Sequence, residues 1–129
     1  MTIDFKGPME RALLKIEKAV VDEINSGVPP PNAPSTIKAK GSSKTLVDSG
    51  EMRNHVDHKI TGEGMLLRGE VGFFDEKNAE KAQWNEYGTR DGHIPPRPFL
   101  RPAYDKSSEN AIDEMAEEVF AQVEKELGW

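Results

Sequence analysis

Three histidines are the side chains best suited to metal or acid–base chemistry in this chain, and two of them, His55 and His58, stand three apart around Asp57. Two imidazoles and a carboxylate make a chemically reasonable site for a first-row metal, with His93 as the remaining imidazole. No single regular element brings them together. Val56 to Thr61 alternates as a strand does, so neighbouring Asp57 and His58 are expected to point to opposite faces, and there is no HExxH pattern. Nucleophilic chemistry has less to work with. Ser42, Ser43 and Ser49 lie in loop or cap positions outside any G-x-S-x-G elbow, and turn and cap hydrogen bonding accounts for Asp48 beside Ser49. Gly62-Glu63-Gly64 lacks the third glycine and the following Lys-Ser/Thr of a phosphate loop. Carboxylates abound near the C-terminus, but Glu117 and Glu118 read as a solvated helix face and not as an acid–base pair in a pocket. Cysteine is absent, which removes thiolate ligands, cysteine nucleophiles and disulfides together.

The elements that would position these groups follow from hydrophobic spacing. Met9, Leu13, Ile16, Val20 and Ile24 recur at helical intervals, with Pro8 at the first helical position and Asn25-Ser26-Gly27 as the stop. Val28 to Lys44, with Pro29, Pro30, Pro31 and Pro34, reads as an irregular, mobile loop. A short helix is expected within Leu46 to Val56, capped by Ser49. A hairpin follows, from Val56 to Thr61 and back from Met65 to Phe74. Leu67, Val71 and Phe73 lie on one face of the return strand and Leu66 and Phe74 on the other, so helices or a neighbouring subunit are expected to cover both faces. A second helix is expected over Glu76 to Tyr87, capped by Asp75 and stopped by Gly88, with Ala79, Ala82, Gln83 and Trp84 near one side. The last helix is expected from about Ser107 to Leu127, with Ile112, Met115, Val119, Val123 and Leu127 as its stripe. The 129 residues suit one domain. The order of elements implies an α+β fold, a small antiparallel or mixed sheet packed against N- and C-terminal helices.

Charge and hydrophobicity narrow the function classes. From Asp105 onward eight acids face two lysines, which accounts for the whole net charge of −6, while the residues before it balance. No basic footprint dominates, so direct nucleic-acid specificity is not expected. No apolar run reaches membrane-spanning length, and Met1 to Glu10 lacks a basic stretch followed by an apolar segment, so a cytoplasmic protein is expected. With 36% hydrophobic residues, the core is expected to be thin or completed by other subunits.

One segment resists a bland reading. Ile94-Pro95-Pro96-Arg97-Pro98-Phe99-Leu100-Arg101-Pro102-Ala103 is expected to form an extended, stiff strip, since proline donates nothing to a sheet ladder. Arginine and phenylalanine are enriched at interface cores. The strip reads equally as an interface element or as a linker into the last helix with Phe99 filling the core.

This strip, with Leu46-Val47-Asp48-Ser49-Gly50-Glu51-Met52-Arg53 and Ala82-Gln83-Trp84-Asn85-Glu86-Tyr87-Gly88-Thr89, resembles the head–tail connector and tail-completion (neck) proteins of long-tailed bacteriophages. The strip matches that family's Pro-x-Arg-Pro-Phe-Leu-Arg-Pro-Ala most closely. Lys81 stands where the family often has an aromatic residue, and Tyr87 replaces the commoner Phe. The resemblance implies a prophage-encoded, non-enzymatic virion protein without cofactor or bound metal. It would act as a homo-oligomeric ring, six-fold to suit a tail tube, and contact phage connector and tail proteins. Glu86, Arg97, Phe99 and Arg101 are the residues expected at the subunit contact. It also implies cytoplasmic residence in the bacterial host before assembly, then a place in the virion neck or tail. The other functions the sequence leaves open are a small metal-dependent hydrolase using His55, His58 and His93, and a prophage-encoded module that binds a host protein through the proline-rich loop and the acidic helix.

Overall fold

Two long helices packed antiparallel carry most of the architecture. The computed structural model describes residues 2–27, 51–92 and 94–128. In chain order the elements are α1 (Lys6–Asn25), a one-turn helix α2 (Glu51–Asn54), strands β1 (Asp57–Thr61) and β2 (Arg68–Gly72), α3 (Glu76–Tyr87) and α4 (Leu100–Glu126). The α+β arrangement expected from the sequence is present: a two-stranded antiparallel sheet against N- and C-terminal helices. The irregular loop expected over residues 28–44, and the first part of the helix expected from Leu46, including its Ser49 cap, lie outside the described residues. Among the described residues no helix is long and apolar enough to cross a membrane.

The stripe read from the sequence of α1 is the stripe that is buried, with Leu13, Ile16, Val20 and Ile24 joined by Pro8 and Ala12. The helix begins two residues earlier than Pro8 suggests. Asp4 accepts a hydrogen bond from the Gly7 amide at 3.0 Å, and Pro8 occupies a first-turn position whose missing N–H would have had no partner within the helix. On α4 the partners fall in strict antiparallel register. Arg11 pairs with Glu118, Lys15 with Glu114 and Lys106 with Glu23, and Gln122 exchanges hydrogen bonds with the Asp4 backbone at 2.7 Å each way. Exposed pairs of this kind add little stability individually. They do set the register, and they engage two α4 carboxylates, Glu114 and Glu118, of which the sequence reads Glu118 as part of a solvated face. Buried Ala12 and Ala111 lie where the helices cross, and small side chains there permit close approach.

The last helix starts at Leu100 and not near Ser107. Pro102 is its third residue, again in the first turn, where proline costs no intrahelical bond. The expected extended strip is therefore shorter, ending at Phe99. The stripe expected on this helix also differs from the buried one. Its fully buried side chains are Ala103 and Ala111, whereas Ile112, Phe120 and Leu127 remain about half exposed.

In the hairpin, His58 pairs with Val71 and Ile60 with Gly69, and directly opposed residues share a face. That face meets α1. A Cβ on Gly69 would stand 2.9 Å from the Leu13 methyl carbons, so glycine lets the strand lie close on the helix. The other face carries Lys59, Arg68 and Glu70, which form ion pairs, and Lys59 lies over the Phe74 ring. The double covering expected for the return strand is absent among the described residues. Its outer face is charged, and Met65 and Leu66 at the tip are each 85% exposed.

The helix α3 has the expected bounds. Asp75 caps it by accepting from the Asn78 amide, and these hydrogen bonds hold its carboxyl below the usual value. Gly88 ends it with φ 76°, where a Cβ would also stand 2.9 Å from Pro96 Cδ. Its buried face is Asn78, Ala82 and Glu86, not the side carrying Gln83 and Trp84, and Trp84 is about half exposed.

Candidate interaction surfaces

Glu86 explains why the two motifs around it belong together. It sits on the buried side of α3, and its Oε1 accepts from the backbone amides of Phe99 and Leu100, each at 2.9 Å, while Oε2 faces the Arg101 amide at 3.4 Å. These are the first amides of α4, which have no partner inside that helix, and they mark its positive end. One carboxylate thereby caps α4 from a different helix. The intervening loop is closed by Thr89, whose amide donates to the Ile94 carbonyl and whose Oγ1 accepts from the Ile94 amide, both at 3.0 Å. The Arg97 amide donates to the Asn85 carbonyl, which ties the proline strip to the end of α3.

The four residues expected at a subunit contact consequently divide. Phe99 is completely buried, packed edge-on against Phe73 with ring centroids 6.1 Å apart, in a cluster with Val20, Ile24, Val56, Ala82 and Ala103. Its expected place at an interface is corrected: an aromatic ring with no exposed surface has none to offer a second subunit. Glu86 is corrected likewise, since its carboxylate is turned inward onto the α4 amides. Arg97 is partly buried, which lowers its guanidinium from the ordinary value. Arg101 is exposed.

Among the described residues, an open apolar surface runs along α4, which the motifs do not reveal. A groove of about 470 Å³ opens between α1, β2 and α4, lined by Met9, Leu13, Val71, Tyr104, Ile112 and Met115, with Arg101 at its wall. A second, of about 370 Å³, continues past the shared Met9 and Met115 toward the hairpin tip, lined by Phe5, Met65, Leu67, Val119, Phe120 and Val123. Phe120 is 54% exposed. On α4, Asp105, Glu109, Asp113 and Glu117 recur every four residues and are all exposed. Like charges at that spacing weakly oppose the helix.

The two described histidines, His55 and His58, are not gathered into one site. His55 lines a shallow polar recess with Asn54, Asp57, Phe74 and Asp75, whereas the His58 ring turns toward α1. There Nε2 lies 2.7 Å from Glu10 Oε1 and Nδ1 3.1 Å from Glu17 Oε2. His93 lies outside the described residues. With a carboxylate at each nitrogen, the imidazole is held above its ordinary pKa, first by the Glu10 hydrogen bond and then by the hydrogen bond and charge of Glu17, with partial burial acting the other way. The sequence reading missed Glu10 and Glu17. They stand seven apart, on one face of α1 across two turns, and that spacing was the available signal. Asp57 is not fully diverted from His58 either: its Oδ1 accepts from the His58 amide at 2.8 Å and lies 3.8 Å from Nδ1.

Compared with known proteins, the chain matches no family model, no curated protein and no solved structure.

Proposed function

We propose that this chain is a structural assembly protein of a phage neck, joining the head connector to the tail or completing the tail, and that it works as a closed ring of its own copies. The observation that carries this reading is the apolar length of α4 left open along the two grooves. A helix stripe containing Ile112, Met115, Val119, Phe120 and Val123 is what an interface core requires, and large exposed apolar patches on soluble proteins mark contact sites. The resemblance of the segments around Glu86 and Arg97 to neck proteins supplies the kind of assembly. Charge supports a head-to-tail contact between copies. The exposed acids Asp105, Glu109, Asp113 and Glu117 lie on one surface, and Arg101 lies by the groove. Arg101 stands one turn before Asp105 on the same side of α4, so the basic start and the acidic length of that face can meet between copies displaced along it. A heterologous contact of that kind can close into a ring. On this reading the protein resides in the bacterial cytoplasm until it joins the virion.

Sedimentation velocity and negative-stain microscopy of the purified full chain test it. The expected result is a closed oligomer, six-fold, in solution or on addition of the tail-tube protein. Phe120→Glu and Arg101→Glu are expected to keep the wild-type circular dichroism spectrum and abolish the oligomer. Variants that fold and assemble unchanged, or a wild-type chain that stays monomeric with and without the tail tube, count against the proposal.

A further inference from the structure

The clustering around His58 goes beyond an ordinary surface ion pair. The side chains of His58 and Glu17 are only 16% and 20% exposed, and they project from β1 and α1, which the inner hairpin face packs together. Nδ1 of His58, an oxygen of Glu17 and an oxygen of Asp57 all lie within 4.8 Å of one another. From Nδ1 the distances are 3.1 Å to Glu17 and 3.8 Å to Asp57. A tetrahedral zinc ion with bonds of about 2.1 Å spaces its ligand atoms about 3.4 Å apart, between those two values. Glu10 occupies the other ring nitrogen at 2.7 Å. A carboxylate there holds the proton on Nε2 and orients the ring, so that Nδ1, which faces Glu17 at 3.1 Å, offers its lone pair to a metal once it has given up any proton, the outer-shell arrangement common to metal-bound histidines. Charge points the same way. Glu10, Glu17 and Asp57 surround a single imidazole, and among the described residues their ion-pair contacts run to His58, with no lysine or arginine on any of the three. Counting the described groups alone, protonating His58 offsets one of the three negative charges, while a divalent ion on the neutral ring offsets two.

We propose that Glu17, Asp57 and His58 bind one divalent first-row transition-metal ion, zinc fitting best, which fastens the hairpin to α1, with Glu10 as the positioning carboxylate. Nitrogen and carboxylate ligands together suit zinc over calcium or magnesium, which take oxygen ligands. Binding displaces any Nδ1 proton to solvent and keeps the Nε2–H donating to Glu10. The site is independent of ring assembly.

Isothermal titration calorimetry on the chelator-treated full chain tests it, with zinc, magnesium and calcium chlorides as the probes, followed by thermal denaturation with and without zinc. The expected result is one equivalent of zinc per chain and a melting temperature that rises with zinc. Glu17→Gln and Asp57→Asn are each expected to weaken zinc at least tenfold, and Glu10→Gln about ten- to a hundredfold. Asp57 is 67% exposed, so its variant should melt as the wild type does without metal, which separates loss of a ligand from loss of folding. His55→Ala should bind zinc as the wild type does. No stoichiometric zinc binding overturns the proposal. So does zinc affinity unchanged in Asp57→Asn and Glu17→Gln, loss of binding in His55→Ala alone, or tighter binding of magnesium or calcium than of zinc.

Discussion

Replacing Glu86 by alanine is expected to lower the unfolding free energy by about 3–4 kcal/mol, one of the largest losses available at a single polar position. The carboxylate accepts from three consecutive amides at the start of α4, at 2.9, 2.9 and 3.4 Å. Charge-assisted bonds are stronger than neutral ones. Truncation leaves the buried Phe99 amide without its acceptor and the part-buried Leu100 and Arg101 amides without theirs. The loss falls on a tertiary connection, because Glu86 belongs to α3 and its partners to α4. The expected readout is a lower urea midpoint together with faster amide hydrogen exchange at Leu100 and Arg101. Glu86→Gln should lie between alanine and wild type, since the amide keeps one acceptor oxygen but turns a donor toward N–H groups. A midpoint for Glu86→Ala within about 1 kcal/mol of wild type would contradict this account of the cap.

The same residue shows where the sequence could and could not be read. The stripe of α1 was legible because its buried face is apolar at helical spacing, from Leu13 to Ile24, and the hairpin because β-alternation bracketed a Gly-Glu-Gly turn. The buried face of α3 was not legible. It consists of Asn78, Ala82 and Glu86, and hydrophobic periodicity has no means of finding a face whose burial is stabilised by hydrogen bonds. Pro102 misled in the opposite sense. Proline argues for extended chain only where an N–H is needed, and in the first turn of α4 none is, so the helix runs back to Leu100. Of the four residues expected at a contact, Arg97 and Arg101 retain surface, while Phe99 and Glu86 turned inward because one motif carries both the cap and the core anchor. The pairing of His58 with Glu10 and Glu17 depends on which face of α1 the hairpin covers. That is set by Gly69 against Leu13, a contact distant in sequence that no local pattern encodes.

Phe99→Ala should cost about 3–5 kcal/mol, the range for removing a fully buried aromatic ring. Its ring fills the space between α1, α3 and the start of α4, with Val20 and Ile24 on α1, Ala82 on α3 and Ala103 on α4. Ala82 and Ala103 are too short to collapse into the vacancy, and the edge-on contact with Phe73 is lost as well. The urea midpoint should fall accordingly, with increased binding of a hydrophobic dye if the packing loosens. Phe99 supplies the ring that anchors the strip and also the amide that Glu86 accepts, so the two losses are coupled. The double variant Glu86→Ala/Phe99→Ala should be less destabilised than the sum of the singles, by about 1 kcal/mol or more. Simple additivity would mean that cap and anchor act separately and that the spacing between their motifs has another cause. The contrast with Arg101→Glu is equally specific: that exposed change should leave the urea midpoint near wild type and act on assembly alone. A Phe99→Ala chain as stable as wild type would show that the strip is held by its prolines and hydrogen bonds, not by this ring.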